Sequence, residues 1–410
     1  MNRREFLACA ALVGSDYRSW LEEARAIHRR IPVFLGYCNH SSEQFQASGG
    51  QDSDVEKFDA AGIRTFVTSI GAGVYFATGP RQYELAGSDE WVLRKYLENV
   101  DRALKLIRQC PRMRLVTRAS QLKTHPKDNS IGVIVHISGN NHTLNLGVVD
   151  KFFECGVRAW HPAMQYHNRW CAGKGGMPAP TLSDFGRQVI ARMNEVGIVL
   201  DTAHASDETA QAFVKVSKKP VIDSHTTSST VAPQSRGLSD QTLKMIAGSR
   251  GVIGVHFATG FLVAAPKRRR VADAGYEPRL FKYNRWVLES TKDPEERMRL
   301  RKNAEAQEKF YRQHNLPPEP GSQQQQREPR ATVSHLADLV EYLVRLVGME
   351  HVGIGGDVNG IDRDWPTGMQ HTGELPHLTA ELLRRGYKED RLRKLLSDNW
   401  RRVYSQVLPA

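Results

Sequence analysis

The sequence predicts a (β/α)8 barrel of the TIM type. Eight short β-branched runs alternate with longer amphipathic stretches, the pattern of βαβ units and a mostly parallel sheet. No Gly-x-Gly-x-x-Gly follows any of these runs, which sets the doubly wound open sheet behind the barrel. The chain has 410 residues, 40% of them apolar, with 7 Trp, 12 Tyr and 14 Phe, enough to bury one large core.

The predicted strands are Pro32 to Gly36, Ile63 to Ser69, Ile131 to His136, Val157 to Trp160, Ile198 to Asp201, Val221 to Asp223, Val252 to Phe257 and Val352 to Gly355. Each is a run of three to seven residues, most of them rich in Val and Ile, bounded by polar or glycine-containing segments. The predicted helices include Trp91 to Gln109, Thr181 to Glu195, Glu208 to Val216, Asp240 to Ala247 and Val333 to Val347, several with Ser, Thr or Asp near the start to cap the first turn. Between the seventh and eighth strands, Pro266 to Arg330 breaks the rhythm. It opens with Lys267-Arg268-Arg269-Arg270 and ends with Pro317-Pro318-Glu319-Pro320-Gly321 and Gln323 to Gln326, the composition of a charged insertion and flexible linker. The expected organisation is a single domain over 20–410 that carries this insertion at 266–330.

Charge separates the function classes next. The net charge is +12, and the insertion holds 16 Lys and Arg against 10 Asp and Glu, half of that excess. The basic run Lys267 to Arg270 has no interleaved aromatic and reads as a solvated face, so no nucleic-acid partner is expected. Five cysteines (Cys9, Cys38, Cys110, Cys155, Cys171) form no Cys-x-x-Cys pair and no regular ladder. No apolar stretch reaches the roughly 20 residues of a transmembrane span. Residues 1–19 begin with Arg3-Arg4 and an apolar run to Val13, which resembles a twin-arginine export signal; if it functions the protein is periplasmic or exported and could form one or two disulfides, and otherwise it is cytoplasmic. A homodimer is left open.

In such a barrel, polar residues just past the strands converge on one mouth. His204 follows the strand ending at Asp201, and His225 follows the next, in Asp223-Ser224-His225. Neighbouring parallel strands lie about 4.8 Å apart, so two imidazoles at their ends can share one metal ion. The alternative for each is a hydrogen-bonded loop or core histidine. Asp357 ends the last strand among four glycines, Gly353, Gly355, Gly356 and Gly360, which would let a tight turn aim its carboxylate inward; an Asx-turn is the alternative. Arg236 could grip a substrate carboxylate in a bidentate pair.

Gly156-Val157-Arg158, Gly197 to Thr209 with its Asp201-Thr202-Ala203-His204, Pro220 to His225, His351 to Asp357, Leu378 to Tyr387 and the opening Ala26 to Val33 resemble, in order, the membrane (renal) dipeptidase family of zinc peptidases. The resemblance implies a (β/α)8 barrel with two zinc ions that hydrolyses dipeptides. It implies that His204 and His225 bind metal, that Asp357 is the acid/base and that Arg236 holds the dipeptide's free carboxylate. Elsewhere the chain departs from the family. The expected His-x-Asp of the first strand reads Tyr37-Cys38-Asn39, the bridging glutamate is Ser138, and the substrate-polarising histidine falls at about Met164. A phenol, an amide and a hydroxyl are neutral and poor zinc ligands. The expected cofactor is therefore one zinc ion rather than two, or none, held by His204, His225 and a third group drawn from His40, Cys38, His136 or His142. The expected function is hydrolysis of a dipeptide or related peptide-like amide. The alternative is an altered barrel that binds or matures another peptide-derived molecule, as in siderophore maturation; a further alternative makes the basic insertion a partner-binding arm on an inert barrel.

Overall fold

The computed structural model describes residues 15–39, 52–71, 75–79, 82–85, 88–122, 129–139, 145–164, 170–173, 181–233, 237–263, 331–358, 361 and 364–410, with 297, 298, 301 and 305 inside the insertion. Residues 1–14, Arg236, His40, His142 and nearly all of 266–330 lie outside them.

Eight parallel strands build the barrel: β1 (Val33–Cys38), β2 (Ile63–Ile70), β6 (Ile131–Ser138), β7 (Val157–His161), β8 (Val199–Leu200), β9 (Asp223–Thr226), β10 (Ile253–His256) and β11 (Val352–Val358). Their order is β8-β7-β6-β2-β1-β11-β10-β9, all pairs parallel. The ring closes between its ends, where Thr202 N donates to Ile222 O at 2.8 Å and Ile222 N to Leu200 O at 3.0 Å. β5 (Met113–Leu115) pairs outside β6, and β3 (Tyr75–Gly79) with β4 (Gln82–Leu85) forms an antiparallel hairpin that the strand pattern did not predict. The other eight match the predicted runs. The sixth is displaced: Val221 and Ile222 precede β9, because Ile222 spends its backbone groups on closing the ring.

Helices cover the ring. α1 (Ser15–Arg30) precedes β1, and α2 (Asp52–Ala60), α3 (Asp89–Gln109), α4 (Gly147–Glu154), α5 (Asp184–Val196), α6 (Asp207–Val216), α7 (Asp240–Gly248), α8 (Val333–Val347), α9 (Pro376–Arg384), α10 (Glu389–Arg393) and α11 (Asn399–Val407) follow. α3, α5, α6 and α7 begin with the same Ser-Asp pair. Ser88, Ser183, Ser206 and Ser239 each accept a hydrogen bond from the backbone N–H three residues on, and the following aspartate sits at the positive end of the helix dipole. No disulfide joins the described cysteines, and Cys38, Cys110 and Cys171 are buried.

The floor of the barrel is apolar. Phe34, Val67, Ile134, Ala159, Val199, Ile222 and Val252 come from seven successive positions round the ring and pack with Trp400, Val403, Tyr404 and Val407 of α11. The eighth position is Gly353, where a Cβ would stand 2.4 Å from Trp400 Nε1. The missing side chain admits the indole, whose Nε1 donates to Ile354 O at 3.0 Å. Of the four glycines expected to make a turn at Asp357, Gly353 therefore serves packing instead; Gly356, at φ +95°, makes the turn. Gly360 lies outside the described residues.

Candidate metal and catalytic site

Side chains alternate along a strand, so residues two and four places beyond the floor layer face the same interior toward the C-terminal mouth. Counting from Ile134 gives His136 and Ser138; from Ala159, His161; from Val199, Asp201; from Val252, His256; and from Gly353, Asp357. The polar cluster is thus built by continuing the strands that line the floor. Bulges at Tyr37/Cys38 in β1 and between Ile253 and Val255 where β10 meets β9 re-aim Tyr37 and His225 into the same space.

Five imidazoles meet there. Ring centroids are 4.8 Å apart for His136 and His161, 5.1 Å for His161 and His204, 5.4 Å for His204 and His225, and 5.7 Å for His225 and His256. His136 and His161 are fully buried, His225 and His256 nearly so, and His204 is half-buried. Backbone strain accompanies two of the predicted residues: His204 has φ +66° and Asp357 φ +60°, left-handed values that a side chain larger than glycine adopts at a cost.

The carboxylates are held from both sides. Asp201 Oδ1 accepts from the N–H groups of Ala203 and Ser224, and its Oδ2 lies 3.1 Å from His136 Nε2 and 3.8 Å from His161 Nδ1. Burial works to raise its pKa, but the hydrogen bonds and charges of His136 and His161 outweigh it and hold the carboxyl well below the usual range. Asp357 accepts from Asn39 Nδ2 at 2.6 Å and meets His256 Nε2 at 3.1 Å. His256 Nδ1 accepts from Ala258 N, so the ring proton is on Nε2 and is donated to Asp357.

The substituted positions have definite partners. Tyr37 stacks on His225 with ring centroids 3.8 Å apart and its hydroxyl bonds Ser69 Oγ at 2.8 Å. Burial, with Asp357 and Asp201 nearby, pushes its phenol far above the ordinary value of 10.0, so it stays neutral. Ser138 Oγ bonds His161 Nε2 at 2.7 Å and donates to Met164 Sδ.

His204, His225 and Asp357 are brought to one mouth; Arg236 is outside the described residues. The three-donor set among the described residues is a different one, His136, His161 and Asp201, whose ligand atoms all lie within 4.8 Å of one another. Of these, His136 was among the expected third groups. His161, Asp201 and His256 were missed, although each sits at a strand end.

A family model for membrane dipeptidase, peptidase family M19, matches residues 21–409. The chain belongs to this family. Dipeptidase 3 of Rattus norvegicus is 25% identical over 351 residues, covering 82% of this chain and 56% of the relative, and the mouse protein of that name gives the same figures. The chain thus spans little more than half the length of these curated relatives. Among solved structures, the probable dipeptidase PvdM of Pseudomonas aeruginosa is 20% identical with a TM-score of 0.73, covering 95% of this chain and 98% of that one. A metallopeptidase from Rhodobacter sphaeroides, liganded with a phosphinate mimic of L-Ala-D-Ala, is 19% identical with a TM-score of 0.67, covering 92% and 99%. At these identities the likeness to solved structures establishes the barrel fold. No helix among the described residues is long and apolar enough to cross a membrane.

Proposed function

We propose that the protein is a metal-dependent hydrolase of dipeptides or closely related peptide-like amides, acting at the C-terminal mouth of the barrel. The observation that carries this reading is the convergence of five histidines with Asp201 and Asp357 at that mouth, in a chain matched to the family over nearly its whole length. Imidazole and carboxylate donors suit a zinc-class divalent ion, and three of them already lie within 4.8 Å of one another. The family pattern points to His204 and His225 for that ion, whereas the three donors within 4.8 Å of one another are His136, His161 and Asp201. When bound, such an ion polarises a carbonyl and makes a nucleophilic hydroxide available near neutral pH. Asn39 and Ser138 stand where the family has carboxylates, so less negative charge is present to balance a second ion, and the reading is one ion rather than two.

The chain's own residues supply the rest. Asp357, fixed between Asn39 Nδ2 and His256 Nε2, is placed to receive a proton and return it to the leaving amine. Tyr37 fixes the plane of His225 by stacking and keeps water from that face. Arg236 is assigned the substrate's free carboxylate. Export through Arg3-Arg4 is the localisation this reading favours, supported by the apolar run behind that pair.

The test is hydrolysis of L-Ala-D-Ala and a panel of other dipeptides by metal-stripped and zinc-restored protein, followed by amine release. Activity should vanish on stripping and return with zinc. Asp357→Asn should lower kcat about 10²- to 10⁴-fold with the melting temperature unchanged. Metal-loaded, folded protein that cleaves no dipeptide refutes the proposal.

A further inference from the structure

We infer that the tight metal site of this barrel is His136, His161 and Asp201, one layer deeper than the positions where the family pattern puts its ligands. This inference rests on the reading of the mouth as a metal-dependent centre and says where its ion resides. The three residues come from the ends of successive strands β6, β7 and β8 and have no exposed surface.

Their geometry is that of a ligand set. Two imidazole nitrogens converge on one carboxylate oxygen, His136 Nε2 at 3.1 Å and His161 Nδ1 at 3.8 Å from Asp201 Oδ2. Around a tetrahedral ion with bonds near 2.1 Å, neighbouring ligand atoms stand about 3.4 Å apart, between those two distances. Asp201 spends Oδ1 on the amides of Ala203 and Ser224, which turns Oδ2 toward the rings. Ser138 Oγ lies 2.7 Å from His161 Nε2, so in the ion-bound tautomer it would accept from Nε2–H and leave the lone pair of His161 on Nδ1, facing Asp201. Ser138, one of the departures from the family pattern, thus becomes the outer support of His161. Two neutral imidazoles and one carboxylate are a donor set that catalytic zinc uses.

The competing reading is a purely structural polar network, and the molecule contains a control for it. His28 is a buried structural histidine with both ring nitrogens bonded, Nδ1 to Ala61 O at 2.6 Å and Nε2 to Thr379 Oγ1 at 2.7 Å. His136 differs: it is fully buried, yet its Nδ1 has no hydrogen-bond partner. What distinguishes His136 from His28 in geometry is that its Nε2 faces the same carboxylate oxygen as His161 Nδ1, so two ring nitrogens share one acceptor where His28 has a separate oxygen for each.

Full-length protein stripped with chelator would be titrated with Zn²⁺ and Co²⁺ alone, reading affinity by calorimetry, retained metal by elemental analysis after gel filtration, and coordination by the visible Co²⁺ spectrum. Wild-type protein should retain one ion with a tetrahedral Co²⁺ spectrum. His136→Gln, His161→Gln and Asp201→Asn should each weaken binding more than about 100-fold, beyond the loss expected for an outer support. Asn at 201 keeps an oxygen for the two amides. The double variant His204→Gln, His225→Gln should still retain the ion. Should a variant fail to fold, broadening of the His136 and His161 ring protons in Co²⁺-loaded wild-type protein decides, and unbroadened rings overturn the assignment. An ion that survives in the three variants but is lost with His204 and His225, alongside metal-dependent hydrolysis, overturns this placement and leaves the proposed function standing. An ion lost with the three residues from a protein that cleaves no dipeptide does the reverse. Wild-type protein that binds neither metal overturns both.

Discussion

The floor and the mouth of this barrel are made by the same strands two residues apart, yet they do opposite work. At the floor Phe34, Val67, Ile134, Ala159, Val199, Ile222 and Val252 close on Trp400, and the pay-off is burial. One step up, Ser69, His136, His161 and Asp201 take over, and the interior becomes a set of donors held in place by hydrogen bonds. The difference teaches that an alternating strand lets stability and chemistry share one scaffold, because the apolar layer anchors the residue that precedes each functional side chain.

Three experiments sharpen that division. Trp400→Ala should cost the most, about 3 to 5 kcal/mol in denaturant unfolding, because it empties the floor between Phe34, Gly353 and Tyr404. The folded fraction should keep its metal affinity; a variant as stable as wild type would show that the floor does not carry the fold.

A second experiment compares buried histidines at the two ends of the ring. His28, bonded to Ala61 just before β2, is driven by burial from the ordinary 6.5 down to about 4, against a smaller opposing effect of its bond to Ala61. Because the folded value is depressed, the unfolded chain takes the proton first. The stability contributed by neutral His28 is complete above pH 6.5 and is lost as pH falls toward 4, by about 3 kcal/mol in total. Urea unfolding across this window should show the decline, and His28→Gln should flatten it; an unchanged slope would assign it to groups elsewhere.

The smallest effect is expected at the Ser-Asp caps on the mouth side. Ser206→Ala removes the acceptor for Thr209 N and should cost about 1 kcal/mol, read as a fall in melting temperature. A loss well beyond that would mean that the cap also positions the His204 turn, five residues before Thr209.

Much of this architecture was legible in the sequence. Val333 to Val347 was predicted to the residue, and seven of the eight barrel strands lie on predicted runs with the sixth displaced toward the mouth, because β-branched runs between capped amphipathic helices leave few other folds. The site was most legible where a residue stood beyond its predicted run, as His204, His225 and Asp357 do. His161, His256 and Asp201 end their strands, and a strand buried on both faces is apolar on both, so nothing in the sequence marks which alternate residues look inward. Once Ala159, Val199 and Val252 are seen to face Trp400, counting by two finds all three. The hairpin β3–β4 sits outside the ring, where the alternation that revealed the barrel does not apply.

Asp201 also bears on how the ring holds together. β8 is two residues long, the shortest strand of the barrel; it pairs with β7 on one side, and on the other the ring is joined by the bridge of Asp201, just past its end, with Ile222. The carboxylate of Asp201 clasps the amide of Ser224 across that seam as well as the amide of Ala203 on its own side. It acts as a rivet as well as a donor. The two halves of the cylinder are fastened by the same side chain that faces His136 and His161, so the mouth cannot be rebuilt at this position without loosening the barrel wall itself.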